Sequence, residues 1–283
     1  MFRNKIINEI KNIKDIPTMF RVALEIERLA QDINSSASQI GQIIKLDPAL
    51  TAKVLAVANS AAYASTHRIS DLNQVISRLG FPTIRKIALS IAVMNTFKSK
   101  YIDYDKFWIH SITVGYTAMY IHKLANPMKK NEEVYTAGIL HDIGILILDQ
   151  YFPDLYRKVF DIASKKKADL QFVEQKILGI DHAEVGQILF ENWKLPEKII
   201  EVIRYHHSPQ KSTKELYNTR IVYLANFICN NRGIDNGTGF FPESFYDDIW
   251  EDLNLPIDEI QNIIDDVEKD TNLAKDLLKL GGL

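Results

Sequence analysis

Apolar residues recur with the period of an α-helix along almost the whole chain. Phe20, Ala23, Leu24, Ile26, Leu29 and Ala30 share one face, and Ile40, Ile43 and Ile44 mark the next. In "DPALTAKVLAVANSA", Asp47 stands as N-cap with Pro48 at the first helical position, and Leu50, Val54, Leu55 and Ala58 form the apolar stripe. Asn59 and Ser60 are placed to end that helix through side-chain bonds to the backbone. Gly80 in "RLGFP" suits a helix stop ahead of Pro82. The same reading predicts helices over about 71–79, 82–97, 103–125, 132–150, 152–166, 168–178, 182–193, 196–207 and 214–231, with weaker ones near 243–253, 256–267 and 271–281. Sustained alternation of period two is missing, and no Asn-Gly turn is flanked by strand-like runs. The fold class is therefore all-α.

Two stretches interrupt the pattern. The polar, aromatic-studded "KSKYIDYDKF" (98–107) reads as the join between an N-terminal bundle (1–100) and a second bundle (101–230) packed on it. "NNRGIDNGTGFFPES" (230–244) holds three of the twelve glycines and a proline, so it reads as a loop leading to a short C-terminal appendage (231–283).

Composition narrows the picture. The 283 residues are 46% hydrophobic and 25% charged, which is ordinary for a globular protein. A net charge of -2 gives no global positive field for nucleic acid or an anionic membrane, and Lys165-Lys166-Lys167 is only a local run. The single cysteine, Cys229, excludes an intrachain disulfide and a cysteine-rich zinc site. The charged N-terminal stretch has no signal-peptide core, and the longest apolar runs are too short to span a bilayer, so a cytoplasmic location is expected.

The candidate chemistry lies in the histidines. Six of the seven (all but His67) fall between positions 110 and 207. "GILHDIGIL" sets His141 and Asp142 side by side in an apolar stretch, where an ionisable pair is costly unless something binds it. On a continuous helix the two would diverge by about 100°, yet both could reach one ion lodged between helices. His110 sits among Trp108, Ile112 and Val114; His182 opens a helix behind Asp181; His206 and His207 close another. Each alone is an ordinary core or helix-end histidine, the last two being favoured by the helix dipole. Asp181 and Glu184 form a capping-box-like start and are assigned no chemistry. Together, His110, His141, Asp142, His182, His206 and His207 are a candidate ligand set for a first-row divalent ion, converging as ligands do in a bundle core. No nucleophile elbow or Gly-rich phosphate loop competes with them.

The "HDIG" element resembles the motif of the HD superfamily of metal-dependent phosphohydrolases. His110, His141-Asp142, "DHAEVG" (181–186) and "YHH" (205–207) are similar in order and spacing to the HD-GYP cyclic-dinucleotide phosphodiesterases. "IPTMFRVALEI", "LDPALTAKVLAVANSAAY" and "ISDLNQVISRLGFPTIRKIALSIAV" resemble more narrowly the HDOD family, the HD-related output domain of bacterial signalling proteins. The resemblance covers roughly 15–230 and implies an N-terminal helical bundle packed on an HD-like one. Asp47, Pro48, Asn59 and Gly80 carry it as scaffold. The superfamily also implies one or two divalent ions (Fe, Mn, Ni or Zn) on the six residues, with Asp142 the catalytic residue if the site is active.

Three departures weigh against activity. The lysine that follows HDIG in catalytic relatives is Ile145, the last aspartate ligand is Asn226, and "HHSPQKSTKELY" has no Gly-Tyr-Pro loop. The later "GTGFFP" lies beyond the next helix and cannot be that element in the same place. The expectation is a signal-transduction output or adaptor domain acting by protein or ligand binding, with a residual metal site. Its partner would be a separate signalling protein, since no receiver, cyclase or kinase motif accompanies it. The alternative is a metal-dependent phosphohydrolase acting on nucleotides or cyclic dinucleotides; a ligand sensor is the third class.

Overall fold

The computed structural model describes residues 2–31, 37–60, 63, 69–129, 131, 133–239 and 248–281; His67 and residues 240–244 of the expected loop lie outside them. In chain order the helices are α1 (Phe2–Lys11), α2 (Thr18–Gln31), α3 (Ala37–Lys45), α4 (Pro48–Ala58), α5 (Leu72–Leu79), α6 (Phe81–Met94), α7 (Tyr104–Ala125), α8 (Glu133–Leu140), α9 (Ile143–Tyr151), α10 (Pro153–Lys166), α11 (Leu170–Leu178), α12 (His182–Asn192), α13 (Glu197–Tyr205), α14 (Leu216–Asn231), α15 (Asp248–Asp252) and α16 (Ile260–Gly281). No strand occurs among the described residues, as the pattern requires. No described helix is long and apolar enough to cross a membrane.

The chain divides into two compact units that are discontinuous in sequence: residues 15–97 with 272–283, and residues 1–14 with 98–271. In the first, α2 packs on α3 and α6, and α4 on α5 and α6. The starting signals act as read. Asp47 accepts from the N–H groups of Ala49 and Leu50, and Gly80, at φ 76°, ends α5 and starts α6. Asn59 does more than end α4: its amide bonds the carbonyls of Leu55 and Ile69 and its oxygen accepts from Ile69 N, tying the segment after α4 back to its end. The core of this unit encloses an ion pair, Arg85 of α6 with Glu27 of α2, at 1% and 3% exposure.

In the second unit α7, α8, α13 and α14 pack together, with α9 and α12 beside them. Two differences from the sequence reading matter. The helix expected over 132–150 is two helices, α8 and α9, broken by a turn at His141-Asp142. The helices expected over 256–267 and 271–281 are one, α16. The polar run around Thr271 reads as a break, but Ile263, Val267, Ala274 and Leu277 keep one buried stripe in register across it, and the Thr271 hydroxyl bonds Val267 O.

Removing one partner of a buried pair strands the other charge. Arg85→Met should lower stability by roughly 3–5 kcal/mol, while Glu27→Leu combined with Arg85→Met should recover most of the loss. Urea denaturation of the three proteins checks this.

Candidate metal centre

The second unit gathers the six sequence-predicted residues at one point. Close helix approaches put them there. A Cβ on Gly138 would lie 2.7 Å from the Cα of Gly115, so α8 and α7 cross nearly backbone to backbone, which sets His141 beside His110 of α7. A Cβ on Gly144 would fall 1.9 Å from the carbonyl oxygen of His182. Only glycine there lets the first turn of α9 touch the first turn of α12. The turn at His141-Asp142 then points both side chains into the space between α7, α12 and α13. This corrects the picture of two residues diverging on one helix.

Asp142 is the centre, 1% exposed. Its Oδ2 lies 3.1 Å from His141 Nε2 and 3.7 Å from His110 Nε2; its Oδ1 lies 3.4 Å from Nε2 of both His182 and His206. His207 Nε2 stands 2.8 Å from His182 Nε2. His110, His141, His182 and His206 are buried, and His207 is half-buried.

Each of the four buried imidazoles is turned by a partner on its outer nitrogen. Nδ1 donates to Ile234 O from His110 (2.6 Å), to Gly138 O from His141 (2.7 Å) and to Ile203 O from His206 (2.7 Å). His182 Nδ1 bonds Glu174 Oε2 at 2.7 Å, and Glu174 also accepts from His182 N and the Tyr156 hydroxyl. This network assigns the inner Nε2 atoms of His110, His141 and His206 as lone-pair donors. Nε2 of His110, His141 and His206 and Oδ1 of Asp142 have no hydrogen-bond partner, although buried polar atoms are as a rule satisfied. Unpaired imidazole nitrogens facing an unpaired carboxylate oxygen are the donor set of a divalent transition ion. The described His, Asp and Glu residues form two groups able to hold one: Asp142, His182, His206 and His207, and His110, His141 and Asp142.

Two residues that complete the site escape a sequence reading. Glu174 sits in "QFVEQKIL", where a charge reads as the wet face of a helix; it is wholly buried. Asn236 belongs to the stretch read only as a loop leading to the C-terminal appendage. That loop returns after α14: Ile234 O meets His110, and Asn236 Nδ2 donates to Asp142 Oδ2 at 2.7 Å. Asn226 is buried on α14, its oxygen accepting from Asn230, and Ile145 is a buried apolar residue of α9.

The electrostatics follow from burial and one carboxylate. Burial pushes His110 and His206 down to about 4, against the pull of Asp142. Burial, with electrostatic repulsion from the neighbouring His206 and His182 rings, holds His207 well below the usual range. Burial also depresses His182, but the carboxylates of Glu174 and Asp142 outweigh it and raise that ring well above its ordinary value. For Asp142, burial is outweighed by His141, His182 and His206, which keep it well below the usual carboxylate range.

A family profile for the HDOD domain matches residues 16–209. A curated relative, an uncharacterized protein from Treponema pallidum (strain Nichols), is 26% identical over 228 residues, 81% of this chain; the chain spans 44% of that relative's length. Among solved structures, an HDOD domain protein with unknown function from Geobacter sulfurreducens superposes with TM-score 0.82 at 22% identity, over 98% of each chain. A candidate signal transduction protein from Marinobacter aquaeolei VT8 gives 0.81 at 22%, over 99% of this chain and 65% of that one. A candidate phosphohydrolase from Shewanella amazonensis SB2B gives 0.74 at 20%, over 97% of each. At such identities the likeness is one of fold.

In protein stripped of divalent ions, NMR of the ring nitrogens should find His110 and His206 neutral at pH 6 and His182 charged at pH 7. The stability linkage has a definite sign. The unfolded chain takes up the protons of His110 and His206 first, so their contribution is full above about pH 6.5 and is lost as pH falls toward 4. His182 acts oppositely: its contribution is full below about pH 6.5 and is lost as pH climbs through its raised folded value.

Proposed function

The chain belongs to the HDOD domain family, and from that premise we propose that it is a signal-transduction output or adaptor module that works by binding a protein partner, with a metal-held core and no hydrolytic turnover. The observation that carries this reading is the closure of the histidine cluster. Structural metal sites are closed by four protein donors, whereas catalytic ones keep a position open. Asp142 Oδ1 with His182, His206 and His207 supplies four donors at mutual reach. Donors at 2.0–2.1 Å from a tetrahedral ion stand about 3.3 Å apart, close to the 3.4 Å separations between Asp142 Oδ1 and the two imidazoles. The residue after HDIG, where a cation would meet a phosphate, is Ile145, buried among apolar neighbours. The net charge of -2 favours a protein partner over nucleic acid.

The ion would be Fe, Mn, Ni or Zn, held by Asp142, His182, His206 and His207, with His110 and His141 as the adjoining donors. Held by four protein donors, it would keep no open position and would supply charge compensation for Asp142 and folding free energy. The protein's residues do the rest. Glu174 fixes the ring of His182, and backbone carbonyls fix those of His110, His141 and His206.

The second reading, a metal-dependent phosphodiesterase acting on nucleotides or cyclic dinucleotides, is favoured by one observation: all six residues of the ligand set converge. One assay separates the two. Untagged protein loaded with Mn(II) or Fe(II) is expected to turn over neither cyclic dinucleotides nor simple phosphodiesters faster than His141→Ala or Asp142→Ala. A rate present in the wild type and lost in both variants would overturn the binding reading.

The metal reading has its own check. Glu174→Gln keeps the shape but loses the charge that orients His182, and it should weaken ion affinity about 10–100-fold in competition with a chelator.

A further inference from the structure

Asp142 divides the cluster into two lobes, and they are not equivalent. On the Oδ1 side stand three imidazoles, and that oxygen carries no hydrogen bond. On the Oδ2 side stand two, His141 and His110, and here the oxygen is already engaged by the amide N–H of Asn236 at 2.7 Å. An N–H directed at a carboxylate lone pair occupies that lone pair. It also sets the positive end of the amide dipole against Oδ2, leaving that oxygen one lone pair and less negative charge to offer a cation.

The amide cannot offer its oxygen instead. Asn236 Oδ1 accepts from Thr238 N at 3.2 Å and from the Thr238 hydroxyl at 2.7 Å. A backbone N–H only donates, so the oxygen must face Thr238 and the NH₂ must face Asp142. The turn that makes this bond is held on both sides. Asp235 Oδ1 accepts from Gly237 N at 2.8 Å, and Ile234 O receives the His110 ring. Gly237 has φ 81°, and a Cβ there would meet Asp103 O at 3.0 Å, so the conformation belongs to glycine.

Resting on the metal-binding reading above, we infer that the Asn236 amide closes the His110–His141 lobe, so that the cluster takes a single divalent ion, in the lobe of Asp142 Oδ1, His182, His206 and His207. Asn236 is then a stoichiometry-setting residue. It makes this centre mononuclear although the side chains of a second lobe are present.

The experiment is ion counting by native mass spectrometry on the full, untagged chain, reconstituted with Zn²⁺ and freed of excess ion. Wild type, Asn236→Ala and Asn236→Asp are compared after circular dichroism has established that each is folded. One ion is expected in the wild type and two in Asn236→Asp, where a carboxylate replaces the donor. In the wild-type background His182→Ala should lose the ion and His110→Ala should keep it. Two ions in the wild type, one ion in both Asn236 variants, or loss of the ion in His110→Ala alone would overturn the inference and leave the metal reading standing. No ion in any of the proteins would overturn both.

Discussion

A single buried carboxylate governs the second unit. Asp142 is almost without solvent, and an ionised group in that setting persists only where partners compensate it. Its surroundings are built for that task at every level. Four imidazoles face it, three helices and one inter-helix turn deliver them, and a loop amide covers one oxygen. The outer nitrogen of each of those rings is held in turn by a carbonyl or by Glu174. The layers are interdependent. The rings can face inward as lone-pair donors only because their other nitrogens are satisfied further out.

Glycines transmit this demand into the fold. Gly138 against Gly115, and Gly144 against the His182 carbonyl, bring helix axes closer than any side chain would allow. Shortening those distances is what lets residues from α7, the α8–α9 turn, α12 and α13 reach a common point. In "HDIG" the glycine is thus as much a condition of the site as the histidine and aspartate, although it offers no donor atom.

Much of this is legible in the sequence. Helical periodicity, Asp47-Pro48 and Gly80 yield the helices of the first unit, and the spacing of six side chains anticipates their meeting. What escapes is whatever depends on contacts between distant segments. The run from Val134 to Leu148 is apolar enough to read as one helix, and only the approach of α12 explains its break. Glu174 has the helical position of a solvent-facing charge, and nothing local says that Tyr156 and His182 will enclose it. Asn236, in "IDNGTG", has the composition of a turn and is one; its second role exists only because the turn folds back over α7 and α9. α16 errs the other way, since a polar run that suggests an end is carried through by apolar residues on either side of it.

The discontinuity of the units has a consequence for how the chain is made. The first unit includes residues 272–283, and Asn95 of α6 bonds the carbonyl of Gly281, which packs closely on Ile91. On a ribosome adding 5–20 residues per second, the roughly 170 residues between 97 and 272 take about 9–35 s to appear. For that interval the first bundle waits with the surface around Ile91 and Met94 uncovered. Its completion waits on the segment after residue 271, so a chain that stops short of it exposes apolar surface at a place that this segment covers.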